Sequence, residues 1–203
     1  MTSAAISPAG TLRLGAVYAR RDPAWSAFFP AELPEDWRPA YYAHQWGHWL
    51  LPAEDWDYWV GRVRAGEALC AQLHWFFRVP DAGKNVLADM QCLVEGLGGD
   101  PVCFLGSAIG HHLPFLAPLR LHGAGASGIW PFPRRWVSGF ADADRVVVEI
   151  ADLETTDLRR LRAELAEDVA ALPQRAERFL FLQAGPQTLE NARIIARLSG
   201  WMG

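Results

Sequence analysis

Lysine is nearly missing from this chain: Lys84 is the only one in 203 residues, and the other basic charges are scattered arginines. With a net charge of −4 and no Lys/Arg-rich run, the sequence has no clustered cations to grip a phosphate backbone, which argues against nucleic acid as a partner. Cysteine is scarce. Cys70, Cys92 and Cys103 are odd in number, widely spaced and form no CxxC, so they read as reduced core thiols of a cytoplasmic protein rather than a disulfide frame. No apolar run approaches the roughly 20 residues of a membrane span, and the opening MTSAAISPAGTLRLG lacks the charged and apolar regions of a secretion signal. The expectation is a cytoplasmic protein with no membrane partner.

What the chain does have is aromatic side chains. Five of its ten Trp and three of its four Tyr fall between Trp37 and Trp59, in WRPAYYAHQWGHWLLPAEDWDYW. Each such ring brings a large apolar area with a polar tip that needs a partner, so the stretch reads as a core seam or as a pocket wall. A chain of this length buries roughly 70% of the surface its unfolded form exposes, enough for a core without disulfides or metal. Residues 1–10 read as a flexible tail and 11–203 as a single domain.

Apolar periodicity alternates between strand and helix. Strands are expected at Leu12 to Ala19, Leu73 to Val79, Pro101 to Leu105, Leu119 to His122, Arg145 to Ile150 and Phe179 to Leu182. Helical spacing appears near Trp37 to Ala43, after Pro52 through Trp56, Trp59, Val60 and Val63, from Val86 to Leu97, and along Leu158, Leu161, Leu165, Val169 and Leu172 with Thr155 or Thr156 as cap. A last helix is expected from Thr188 to Ser199, after a Gly185-Pro186 turn. The alternation predicts an α/β domain with a mainly parallel sheet.

Three motifs invite chemistry. His44-Gln45-Trp46-Gly47-His48 has the histidine spacing of a zincin, with His111 or His112 as a further ligand, but Gln45 stands where the general base belongs and Gly47 weakens the required helix. Gly123 to Gly128 satisfies GxGxxG, yet Ile129-Trp130-Pro131-Phe132-Pro133 follows and cannot begin the helix that a dinucleotide needs. No metal or cofactor is therefore assigned. Glu149, followed by Asp152, ends an apolar strand, where α/β active sites gather, and Arg78 ends another.

Taken in order, Leu14-Gly15, Trp25 with Phe28-Phe29-Pro30, Tyr41-Tyr42-Ala43, Phe76-Phe77-Arg78-Val79-Pro80, Gly99 to Leu105, Val146 to Glu149, Phe179 to Gln183 and Glu190-Asn191-Ala192 resemble the YecE-like family, also called domain of unknown function 72. That resemblance implies a TIM-type β/α barrel, here shortened or incomplete, with an open twisted, mainly parallel sheet flanked by helices as the alternative. The family's Glu-x-Asn strand is replaced by Gln45 to Leu51, the Arg and His after Glu149 by Ile150, Ala151 and Asp152, and its Asn pair after the closing strand by Gln183-Ala184. The expectation is a degenerate, non-catalytic barrel binding a small polar ligand or a partner, with self-association left open. The alternative is a hydrolase acting on a small polar or anionic substrate. Glu149 is the candidate acid or base, and Arg78, Tyr18, Trp25, His122 and Gln183 are the candidate ligand contacts.

Overall fold

The computed structural model describes residues 12–80, 86–97, 102–105, 130–133, 145–153, 155–171 and 177–202, some strand residues by backbone alone. The expected strand at Leu119 to His122, the Gly-rich stretch 123–128, the tail and His111 and His112 lie outside the described residues. Among the described residues seven strands form one sheet: β1 (Leu12–Val17), β2 (His48–Leu51), β3 (His74–Arg78), β4 (Val102–Leu105), β5 (Trp130–Pro133), β6 (Arg145–Ala151) and β7 (Glu177–Leu182). Their order is β4-β3-β2-β1-β7-β6-β5. All pairings are parallel except β5 with β6, so the described sheet is open, with β4 and β5 at its edges. The proline-bearing WPFP of β5 sits at an edge, as strand prolines must because they cannot donate to a ladder on both sides.

Six α-helices lie among the described residues: α1 (Pro23–Phe28), α2 (Arg38–Ala43), α3 (Trp56–Arg64), α4 (Val86–Gly96), α5 (Leu158–Ala171) and α6 (Pro186–Leu198). Local chemistry sets their ends. Pro23 and Pro30 bracket the six residues of α1, Pro39 sits in the first turn of the equally short α2, and Asp22 caps α1 by accepting from the Ala24 amide at 2.9 Å. The α5 cap is Asp157 rather than either threonine: its Oδ1 accepts from the Arg159 and Arg160 amides at 2.8 and 3.3 Å. Pro186, expected in a turn, is instead the first residue of α6, where its missing N–H costs nothing. Of the expected α5 stripe, Leu161, Leu165 and Val169 are buried, Leu158 is exposed and Leu172 lies outside the described residues.

Strand alternation sorts the sheet into two faces. Tyr18, Trp49 and Trp75 stand on one face and meet Trp25 from α1, Tyr42 from α2 and Trp59 from α3. The crowded aromatic stretch is thus mainly a core seam between sheet and helices. Tyr42 stacks on Trp49 with centroids 4.8 Å apart and an interplanar angle of 18°, and Trp49 stacks on Trp75. Each such pair adds about 0.5–1.5 kcal/mol beyond burial. Trp37, at 63% exposure, is the exception in the stretch. Helix α6 touches both α1 and β1, and α5 touches α6, so neighbouring helices follow the order of their strands.

The opposite face carries His48, Leu50, His74, Phe76, Phe179 and Phe181. Phe76 of β3 meets Phe179 and Phe181 of β7 with centroids 5.1 and 4.7 Å apart, although β2 and β1 lie between those strands. Three strand spacings amount to about 14 Å in a flat sheet. Concave curvature, together with Gly15 between the rings, brings them together, and Phe76, Phe179 and Phe181 are all fully buried.

Candidate functional site

A cleft of about 310 Å³ opens at the C-terminal ends of the strands, on this concave side above the phenylalanine layer. Five strand ends converge on it. Val17 and Ala19 come from the end of β1, Leu50 and Pro52 from β2, Arg78 from β3, Ile150 and Asp152 from β6, and Gln183 and Ala184 from β7. Parallel pairing dictates the convergence, because it places the C-terminal ends of the parallel strands at one edge of the sheet. Asp22 and Glu54 complete the rim from the loops after β1 and β2.

Backbone hydrogen bonds fix these walls. The Tyr18 amide donates to the Leu50 carbonyl at 2.9 Å, and the Gln183 amide to the Ala151 carbonyl at 2.8 Å. The base is apolar, made of Val17, Leu50 and Ile150. The rim carries three carboxylates, one guanidinium and one carboxamide. Arg78, Glu54, Asp152 and Gln183 are exposed, and Asp22 is partly committed to the α1 cap. Such a lining can hold a small polar molecule by hydrogen bonds and charge while its apolar side rests on the base.

The expected ligand contacts separate. Arg78 and Gln183 line the cleft. Tyr18 and Trp25 do not: both are buried on the other face, their rings 5.8 Å apart in an edge-to-face pair. Strand alternation is the reason, since Val17 and Ala19 point to the cleft and Tyr18 between them points away. Burial raises the Tyr18 hydroxyl pKa against the pull of Arg38. His122 lies outside the described residues. Glu149 is described by its backbone alone, in β6 opposite Leu180 and one residue before the cleft residue Ile150.

Asp22, Glu54 and Asp152 were not singled out as contacts by sequence reasoning, although each stands one to five residues past a strand end. Glu54 stands beside Asp55 just ahead of α3, where acidic residues suit a helix start, so its sequence context gives no sign of the cleft.

The zincin spacing is not a zincin geometry. His44 caps the end of α2 and is exposed, whereas His48 begins β2, so the two imidazoles do not share a helix face. His48 instead packs edge-to-face with His74, centroids 5.0 Å apart, and against Phe179. Burial, then the charges of His74 and Arg13, push the His48 pKa down to about 3. Among the described residues no group of three or more His, Cys, Asp or Glu is arranged to hold a metal ion, and no helix is long and apolar enough to cross a membrane.

Comparison with protein-family models, with curated proteins and with solved structures found no match to this chain.

Proposed function

We propose that this protein binds a small polar ligand in the cleft at the strand C-termini, using Arg78 and Gln183 as polar contacts over the apolar base. The observation that carries this reading is the convergence of five strand ends on one cleft with an apolar base and a polar rim. We further propose that the fold is an opened β/α barrel related to the YecE-like family. Followed around, the parallel strands run β6-β7-β1-β2-β3-β4, the sequential order that a β/α barrel uses, and β5, antiparallel to β6, is the strand that departs from it. The buried concave face supports the same reading, because a barrel fills its interior with side-chain layers. In such folds the ligand sits at the strand C-termini.

The ligand-binding reading is tested by thermal shift with a panel of amino acids, monosaccharides and sugar phosphates, on wild type, Arg78→Ala and Gln183→Ala. At least one compound is expected to raise the wild-type Tm, with affinity falling about tenfold or more in each variant, as when a charged or amide contact is lost. A panel without effect on wild type, or a shift that survives both substitutions, sinks it.

A further inference from the structure

We infer that Asp55 is the positioning residue of the cleft, a latch that holds the loop after β1 against the loop after β2 and so sets the distance between two of its walls. Asp55 is 5% exposed and follows Glu54. Its Oδ2 accepts a hydrogen bond at 2.7 Å from the backbone N–H of Arg20, a residue 35 positions earlier. Arg20 follows Ala19 and stands two residues before Asp22, and Ala19, Asp22, Pro52 and Glu54 all line the cleft. One buried carboxylate therefore joins the two loops directly behind the surfaces they present.

The surroundings hold both partners. The Asp55 amide donates to the Pro52 carbonyl at 3.1 Å, which fixes the carboxylate at the end of a 3₁₀ turn (Ala53–Asp55). The Arg20 guanidinium bonds Glu35 at 3.0 Å and lies over the Tyr58 ring, 4.2 Å from its centroid, with Asp55 Oδ1 4.0 Å from its Nε. The charged and titratable groups around Asp55 are thus Arg20 and Arg21 on the β1 loop, Glu54 beside it, Glu35 across Arg20, Tyr58 on α3 and Tyr18. Burial raises the Asp55 pKa, and the Arg20 amide and charge only partly offset it.

Closing the latch takes an ionised carboxylate out of water, so deprotonation favours the open loop. Protection of the Arg20 amide should fall as pH rises through the Asp55 titration, above the ordinary aspartate value of about 4.

Amide hydrogen exchange by NMR, with intrinsic rates divided out, tests the latch in wild type, Asp55→Ala and Asp55→Asn. Asp55→Ala is expected to lower protection of the Arg20 amide about tenfold, the loss of one hydrogen bond to a charged group, while β7 amides keep theirs. Asp55→Asn, which retains an acceptor without a charge, is expected to hold the amide and abolish the pH slope. Unchanged Arg20 protection in Asp55→Ala, or loss in step with β7, would overturn the inference.

The consequence for affinity rests on the ligand-binding reading above and is measured apart from the latch. Titrations of glycine, glucose and glucose 6-phosphate should weaken in Asp55→Ala. If none of the three binds wild type, that reading is weakened, and the amide data still decide the latch.

Discussion

The ring of Phe181 lies over Gly15 so closely that a Cβ built on the glycine would sit 2.6 Å from Cε1 of the ring and 2.7 Å from the His48 carbonyl oxygen. The glycine is required by proximity rather than by backbone angle. It lets the β7 ring reach Phe76 of β3 across the concave face, closing the layer beneath the cleft. Gly15→Ala should destabilise the protein by about 1–3 kcal/mol, because one contact is backbone and cannot swing aside. Urea titration would check it, and an unchanged midpoint would mean that the layer is loosely packed.

Tyr42 splices the β1–β2 ladder. Its hydroxyl accepts from the Ala16 amide at 3.2 Å and donates to the His48 carbonyl at 2.8 Å, standing between two backbone groups of neighbouring strands. Burial raises its pKa far out of reach, so the group stays protonated. Tyr42→Phe leaves the buried Ala16 N–H without its partner and should cost about 1–3 kcal/mol. In a protein of this length that lowers Tm by about 2–4 °C per kcal/mol. Calorimetry is the direct measurement.

Asp89 ties α3 to α4 from inside. It is 9% exposed, accepts from the Trp56 indole N–H at 3.2 Å and pairs with Arg64. Asp89→Ala strands a buried indole donor and should cost about 1–3 kcal/mol. Because Arg64 is half exposed, Arg64→Ala should cost under about 1 kcal/mol. Similar losses in the two variants would assign the effect to the ion pair instead.

His48 predicts the acid behaviour. Its folded pKa of about 3 lies below the unfolded value of about 6.5, so the unfolded chain binds more protons between them. Its contribution to stability is complete above pH ~6.5 and is lost progressively as pH falls toward 3. His48→Leu should flatten this part of the profile of Tm against pH. An unaltered acid slope in the variant would place the sensitivity elsewhere.

Much of the fold was legible because it is written in local pattern. The parallel α/β class followed from alternating periods, and LHWFFRV, RVVVEI and the Leu161, Leu165 and Val169 stripe all lie in the expected elements. The cap of α5 was missed because Asp157 competes with two threonines at nearly the same place, and short-range spacing does not choose among them. Candidate site residues were half legible. Arg78 and Gln183 stand at strand ends and line the cleft, whereas Tyr18 and Trp25 do not, because one step of strand alternation puts Tyr18 on the helix side, where it meets Trp25.

The sequence by itself determined the parallel class of the sheet and the crowding of aromatics between Trp37 and Trp59, because both are properties of neighbours in the chain. Tertiary structure decided that most of those rings form a seam between sheet and helices, and that the strands take the order β4-β3-β2-β1-β7-β6-β5 in a described sheet that is open. It also decided that Asp55 meets the backbone of Arg20. Such pairings join residues tens of positions apart, and parallel register and sheet curvature create them only after the strands have assembled.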